Sequence, residues 1–388
     1  MRTQDIHMKV YHLYSSWRWT GPAEPALNLA GALHKAGWDT TFLCGREPRG
    51  RDNGILRAAQ ERGVPTRTGL NLSKHINPFP NYPDSWRLRR WMAEDRIDLV
   101  HAHLRNAHIV AALAARRLSP RPLVVRSCYA GEGPTGYWEG RLVRELTDGL
   151  LVISERARRE VVTRFGFPAD RVWMVHTAID LDRFDPGRGL GDRRAELGIA
   201  PDAFVVGIVA RIQWRRRYHV FLEAIDRARR ELPGLRAILV GRGTHMNSIV
   251  VRPIQKTGLA DTILLPGYHT GDDFVRTLGS MDAQVMLVPG TDGSCRAVRE
   301  VMAMGVPVIA ARRGILPELV ADGERGLLVD DTPENLARAI LTLARQETRR
   351  RTMGERARQY ARNHFSLSHQ ADLVGQIYRD LAERGQRK

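Results

Sequence analysis

The chain has 388 residues, 43% of them hydrophobic, which is enough for two domains of ordinary size, each with its own core. Sixty Lys and Arg against 43 Asp and Glu leave a net charge of +17, so a polyanionic partner has to be considered. No run of about 18 uncharged apolar residues argues for a spanning helix. Met1–Tyr14 carries no leader pattern, and three scattered cysteines (Cys44, Cys128, Cys295) fit neither a disulfide framework nor a zinc site. A reducing cytoplasm is the simplest expectation.

Short apolar runs alternate with helical patterns throughout, which predicts parallel sheets covered by helices. The first half reads as strands at Met8–Tyr14, Thr40–Leu43, Asp98–Ala102, Leu123–Arg126, Leu150–Ile153 and Val172–Val175. Between the first two, Ala26, Leu29, Ala30 and Leu33 recur at helical spacing behind Pro22. An Ala-rich helix is expected from Asn106 to Arg116, and Ser154 is placed to cap Glu155–Phe165. His75 to Trp91 mixes prolines, aromatics and arginines. It suits either contact with an anionic lipid leaflet or a basic helix packed on the core through Trp86, Leu88 and Trp91.

His176 to Asp192 holds Pro186, Gly187, Gly189 and Gly191 with little periodicity and reads as an interdomain linker. The pattern then restarts, with strands Phe204–Ala210, Arg236–Val240, Thr262–Leu265, Ala283–Val288, Val306–Ala310 and Gly326–Val329. Helices are expected at Tyr218–Leu232, up to Thr257, Asp272–Leu278, Cys295–Met304, near Pro317–Ala321, Glu334–Arg345 and Thr348–His364, with a last amphipathic one at Leu367–Ala382 behind Ser366. The domains expected are thus 1–180, 181–365 and a closing helix in 366–388. Two doubly wound domains place a ligand at the carboxyl ends of their strands.

The segment richest in chemistry begins at Val288, where a strand gives way to a glycine-containing loop and a helix near Ser294 or Cys295. Backbone N–H groups and the positive end of the helix dipole there suit a diphosphate. Asp292 sits in the loop and Glu300 about two turns on. From spacing alone they fit sugar and ribose hydroxyls as well as they fit a helix cap and a surface ion pair.

The wider string separates the two. Asp292, seven residues, then Glu300-Val-Met-Ala-Met-Gly-Val-Pro-Val closely resembles the nucleotide-sugar signature of retaining GT-B glycosyltransferases, especially glycosyltransferase family 4. The likeness continues in Thr20-Gly-Pro-Ala-Glu-Pro-Ala, Asp98-Leu-Val-His-Ala-His, Asp180-Leu-Asp-Arg-Phe and Leu316-Pro-Glu-Leu-Val. It implies a GT-B fold: two Rossmann-like domains facing a cleft, acceptor domain first and donor domain second, with the last helix returning to the N-terminal domain. It also implies a hexosyltransferase that moves a sugar from a nucleotide-sugar to a glycan or lipid-linked acceptor, in polysaccharide or lipopolysaccharide biosynthesis. Such an enzyme works in the cytoplasm or peripherally on the inner face of the membrane.

By the same resemblance Glu300 binds the donor ribose and Asp292 the transferred sugar, with a side chain one methylene shorter than the family's Glu. The segment Gly293, Ser294, Cys295, Arg296 and Ala297 cradles the phosphates, and Gly21 and Gly241 let backbone approach the donor. Arg211 matches a family Arg that neutralises the leaving diphosphate, while Arg216-Arg217 stands where the family has Lys-Gly. After Leu123–Arg126, where many relatives have a His, this chain reads Ser127-Cys128-Tyr129. Tyr129 or Cys128 stands in that place, Tyr129 as a hydrogen-bond donor rather than a base, and His103 at the end of the preceding strand is a separate catalytic candidate facing the cleft. No Asp-x-Asp string stands at a suitable strand end, so no metal or other cofactor is expected. Only five of the sixty cations are Lys and no RNA-binding aromatic motif occurs, so an anionic membrane surface ranks above nucleic acid. The alternatives are a GT-B epimerase and a fold-retaining regulatory binder.

Overall fold

The computed structural model describes residues 8–129, 137–289 and 295–386. Asp292, Gly293 and Ser294 lie outside them. The chain divides into two compact units: one runs to Ala178 and regains the chain from Leu367, and the other runs from Ile179 to Ser366.

Unit 1 is built on six parallel strands: β1 (Lys9–Tyr14), β2 (Asp39–Cys44), β3 (Leu99–Ala102), β4 (Leu123–Cys128), β5 (Gly149–Val152) and β6 (Val172–Met174). Their order is β2-β1-β3-β4-β5-β6. Its helices are α1 (Ala23–Lys35), α2 (Gly54–Glu61), α3 (Pro78–Asp95), α4 (Arg105–Ala115), α5 (Tyr137–Leu146) and α6 (Glu155–Phe165). The strands read as unbroken apolar runs because both faces of the sheet are covered. Tyr11, Leu13 and Val100 pack under α3 and α4 through Leu88, Met92 and Val110. On the other face Val10, Leu99 and Val125 meet Leu29 and Leu33 of α1. That face also receives the last helix of the chain, α14 (Leu367–Gln386), through Val374, Ile377, Tyr378 and Leu381. Each such side chain contributes roughly 1.5–3 kcal/mol when fully buried, which binds this sequence-remote helix to unit 1.

Unit 2 repeats the plan with β7 (Val205–Val209), β8 (Arg236–Val240), β9 (Ile263–Gly267), β10 (Ala283–Met286), β11 (Val308–Ala311) and β12 (Gly326–Val329), ordered β12-β11-β10-β7-β8-β9 and parallel. Its helices are α7 (Tyr218–Glu231), α8 (Arg252–Lys256), α9 (Gly271–Gly279), α10 (Arg296–Ala303), α11 (Leu316–Val320), α12 (Pro333–Arg345) and α13 (Glu347–His364). Phe221 and Ile225 of α7 join Leu336 and Ile340 of α12 over Val206, Ile208 and Val285 of the sheet.

Ser154 caps α6 as expected, its Oγ accepting from the Ala157 amide at 3.1 Å. Helices α2 and α5 were not among the expected elements, although both are amphipathic; α2 is started by Asn53, whose Oδ1 accepts from the Ile55 and Leu56 amides at 3.2 Å. The larger departure is α3, which runs through Pro83 and turns Trp86 outward, 61% exposed, while Leu88 is buried and Trp91 packs against the core. The packing reading of this segment therefore holds for Leu88 and Trp91 and fails for Trp86.

In each sheet one pair of neighbouring strands sends its chain to opposite sides: β1 and β3 in unit 1, β10 and β7 in unit 2. The carboxyl ends of such pairs splay apart and leave a crevice.

Candidate functional site

In unit 2 the crevice is flanked by the segment after β7 and the helix after β10. Arg211 and Arg216 both follow β7. Arg211 is exposed and has no hydrogen bond or ion pair among the described residues. Arg216 Nη1 donates to the Val288 carbonyl at 2.6 Å, so its guanidinium lies across the carboxyl end of β10. Arg217 points elsewhere. Its Nε is 2.6 Å from an Asp331 carboxylate oxygen and its Nη2 donates to the Asp331 carbonyl at 3.0 Å. Its φ of +56° is the left-handed conformation that glycine adopts freely and an L residue holds at a cost of about 1 kcal/mol. The family pattern's glycine at this position is thus a backbone requirement, and in this chain Asp331 offsets the cost of meeting it with Arg.

Gly241 ends β8 against the same segment. A Cβ there would stand 2.1 Å from the Ala210 carbonyl oxygen, and one at Gly243 would stand 2.0 Å from that of Ile212. The Ile212 amide donates to the Arg242 carbonyl at 3.1 Å, and the Tyr218 hydroxyl holds the Ala210 carbonyl at 2.8 Å. The two glycines therefore fix the path of the chain on both sides of Arg211. Gly243 was missed by sequence reasoning; its signal is the Gly-Arg-Gly string directly after a strand.

Helix α10 begins after Cys295, which is buried in the left-handed conformation at φ +47°, and Arg296 and Ala297 form its first turn. Glu300, one turn further, is only 4% exposed. Arg296 Nε lies 3.3 Å from its Oε1. Burial pushes the Glu300 carboxyl above the usual carboxylate range, and the charges of Arg296 and Arg183 oppose that only in part. A carboxylate kept inside at such a cost, in the first turns of a helix at the switch point of the sheet, is a candidate for ligand binding as well as the ion-pair partner of Arg296. Its neighbour Arg299 is fully buried and stacks over Phe365 at 4.7 Å, which anchors α10 from behind.

In unit 1, Gly21 is exposed in the turn between β1 and α1, where the Ala23 amide bonds the Thr20 carbonyl at 2.9 Å and the Tyr14 hydroxyl lies 2.5 Å from Thr20 Oγ1. His103 lies just past β3 and is 1% exposed. Its Nε2 is 2.9 Å from His12 Nδ1, its Nδ1 2.8 Å from the Tyr129 hydroxyl. The His12 and His103 rings are within 14° of one plane with centroids 5.2 Å apart, an in-line imidazole–imidazole hydrogen bond. Ser127 Oγ is 2.8 Å from His101 Nε2, and His101 Nδ1 reaches the Tyr378 hydroxyl of α14 at 2.5 Å. The six side chains form two buried hydrogen-bonded sets, His12–His103–Tyr129 and Ser127–His101–Tyr378, which meet where the His101 and His103 rings stack with centroids 4.4 Å apart. Burial holds all three imidazoles neutral, pushing His12 down to about 3 and the others well below the ordinary value, with neighbouring histidines adding to the effect.

His103 therefore cannot serve as a proton acceptor for a bound hydroxyl: both nitrogens are engaged and the ring is sealed off. It orients Tyr129 instead. One nitrogen from each of His12, His101 and His103 lies within 4.8 Å of the others, which raises a metal centre. A tetrahedral zinc ion needs its nitrogens roughly 3.3 Å apart and aimed at a common point. His12 and His103 are closer than that and aim at each other, so the geometry is that of hydrogen bonding. Beside these sets a small pocket is lined by Ser127, Tyr129, Thr177 and Gln370 among apolar side chains, and the buried Gln370 Oε1 has no hydrogen-bond partner.

Two parallel doubly wound sheets, with the final helix lodged in the first unit, define the GT-B class of glycosyltransferase fold. Among solved structures, the Anabaena protein HepE in complex with UDP superposes with a TM-score of 0.80 at 19% identity, over 96% of this chain and all of that one. A glycosyltransferase from Rickettsia africae gives a TM-score of 0.83 at 16% identity, over 97% and 99%. Residues 20–183 match Glycosyltransferase Family 4 and residues 191–360 match Glycosyl transferases group 1. The D-inositol 3-phosphate glycosyltransferase of Streptomyces bingchenggensis is 30% identical over 314 residues, 75% of this chain and 68% of that protein. The chain belongs to this glycosyltransferase family and is a glycosyl-transferring enzyme.

Proposed function

We propose that the chain transfers a sugar, with retention, from a nucleoside diphosphate-sugar to a glycan or lipid-linked acceptor in the assembly of cell-envelope polysaccharide or lipopolysaccharide. The observation that carries the donor reading is Glu300, a buried carboxylate at the β10–β7 switch point, faced by the ribose diol of a nucleotide in this reading. Arg211 and Arg216 neutralise the leaving diphosphate, the first turn of α10 adds its amides, and Asp292 receives the hydroxyls of the transferred sugar. HepE, of the same fold, is described in complex with UDP and with UDP-glucose, which supports a uridine diphosphate-sugar as the first donor to try.

Retention follows if the acceptor oxygen attacks the anomeric carbon from the face the diphosphate leaves, the acceptor's proton passing to a phosphate oxygen as the glycosidic bond forms. That route asks the protein for position and charge rather than for a strong base, in keeping with the neutral, sealed His103. Nor does it ask for a metal, so turnover in a chelator is expected to match turnover without one. No helix among the described residues is long and apolar enough to cross a membrane. We place the enzyme at the inner face of the cytoplasmic membrane, where the +17 charge favours anionic lipid.

The test is a thermal-shift panel of nucleotide-sugars on the wild type and on Glu300→Ala. A donor should raise the melting temperature of the wild type and leave the variant unmoved. Unchanged donor binding and turnover in Glu300→Ala would sink the assignment. Rapid consumption of the donor with no acceptor present would favour an epimerase or hydrolase.

A further inference from the structure

Helix α3 is built inside out. Its inward face carries Asn81 and Asp84, 5% and 0% exposed, together with Leu88 and Met92. Its outward face carries Phe79, Tyr82 and Trp86, 88%, 73% and 61% exposed, at the i, i+3, i+7 spacing of a single stripe, with the half-exposed Ile76 just ahead of it. Burying the polar residues and exposing three large aromatics reverses the usual amphipathic order, and the reversal is locked. Asp84 accepts from the Asn71 and Leu72 amides at 2.9 and 2.8 Å. Asn81 and Asn106 exchange two amide bonds at 2.7 and 3.1 Å, and Asn106 donates to the Ser73 carbonyl at 2.7 Å. Rotating the helix to hide the aromatics would break these bonds and strand a buried carboxylate.

The surroundings say what the stripe meets. Lys74, Arg87, Arg89 and Arg90 are exposed along it; the one carboxylate in residues 73–93 is the buried Asp84, and the exposed Glu94 just beyond pairs with Arg90 at 2.6 Å. Three prolines, Pro78, Pro80 and Pro83, stiffen the helix that carries the stripe. Aromatics flanked by cations that outnumber the exposed acid fit the headgroup layer of an anionic bilayer: rings enter the interface and guanidinium groups pair with lipid phosphate. Asn106 is the second residue of α4, three positions past His103, so its bonds tie the amino end of the stripe to the carboxyl edge of the unit 1 sheet.

We infer that Phe79, Tyr82 and Trp86 are a membrane-insertion face, with Lys74, Arg89 and Arg90 as its lipid-phosphate contacts, that holds unit 1 against an anionic leaflet. This deepens the reading of a lipid-linked acceptor and rests on it only for its purpose, not for its chemistry.

The full chain is sedimented with vesicles of phosphatidylcholine alone and of phosphatidylcholine with phosphatidylglycerol, at low and high salt. Partition into the anionic vesicles, weakened by salt, is expected, with a loss of at least about tenfold in Phe79→Ser/Tyr82→Ser/Trp86→Ser. Lys74→Gln/Arg89→Gln/Arg90→Gln should retain residual binding and lose most of the salt dependence. A cooperative melting transition no lower than the wild type's, with nucleotide binding unchanged, serves as the fold control for both variants. A wild type that binds nucleotide yet stays in solution beside anionic vesicles overturns the membrane face and leaves the donor site standing; vesicle binding without nucleotide binding does the reverse. Equal partition of wild type and the aromatic variant, or self-association of the wild type that the variant abolishes, also overturns it, the latter in favour of a protein partner.

Discussion

Mild acid is the perturbation to which the histidines of unit 1 are most exposed. His12, His101, His103 and His108 are all buried, and burial depresses each, with Arg126 adding to the effect at His108. In the unfolded chain each takes a proton near pH 6.5; in the folded chain His12 holds out to about 3 and the others stay well below 6.5. With folded values lowered, the unfolded state binds more protons below pH 6.5, so stability falls as pH falls through that value and continues to fall toward the folded values. At pH 5.5 each unfolded imidazole gains about 1.4 kcal/mol from protonation, so four together cost about 5 kcal/mol between pH 7 and 5.5. That is a third or more of a typical domain's stability. Hydrogen exchange of β3 and β4 peptides at the two pH values, corrected for intrinsic rates, reads the change in unit 1. His108→Gln, which keeps a partner for Thr147 Oγ1 (2.7 Å from His108 Nε2), should remove about a quarter of the effect. Protection that is the same at pH 7 and 5.5 would refute the reasoning. Glu300 supplies a control of opposite sign in unit 2.

Glu300→Gln should weaken nucleotide binding by about thirtyfold, roughly 2 kcal/mol, because a neutral amide replaces the charged acceptor of two ribose hydroxyls; calorimetric titration with UDP measures it. Because the folded carboxyl is raised, stability that is full below the unfolded value is lost as pH rises through the folded one; the variant's melting temperature should pull ahead of the wild type's from about pH 4 upward. A constant difference across pH would contradict the burial argument. Gly241→Ala drives a Cβ to 2.1 Å from the Ala210 carbonyl oxygen, so it should cost about 1–3 kcal/mol in urea denaturation and weaken nucleotide binding with it. Arg211→Ala should leave the melting temperature within a degree, since the side chain has no described partner, yet lower affinity for UDP about tenfold while sparing uridine.

Much of this architecture was legible because parallel strands covered on both faces must be apolar throughout. Val205–Val209 and Leu150–Val152 have no other reading once helical stretches flank them. What was not legible depended on contacts between distant residues. The Trp86 ring faces solvent because Asp84 and Asn81 are claimed by Asn71, Leu72 and Asn106, a choice no helical period reveals. Arg217 stands where the family pattern has Gly, and only the structure shows that it keeps the left-handed φ and is drawn to Asp331, away from Arg216. His103 looked like an end-of-strand acid or base, and the in-line bond to His12, a residue 91 positions earlier, makes it a support for Tyr129.

These exceptions share a cause. A buried carboxylate at Glu300, a buried polar cluster around His12, His101 and His103, and a helix with its aromatics outward each oppose the burial of apolar and exposure of polar groups that stabilises the rest of the chain. Each is also held by specific partners, Arg296 for the carboxylate, Tyr129 and Ser127 for the imidazoles, and Asn106 and the 71–72 backbone for the helix, so none is slack packing. Where a fold maintains an unfavourable arrangement with dedicated contacts, substitution by residues better suited to folding alone should raise stability and lower function together. Glu300→Gln and the aromatic-to-serine variant of α3 test that pairing at two sites with different ligands, nucleotide and lipid, and a gain in stability with no loss of binding at either would show that the arrangement there serves only the fold.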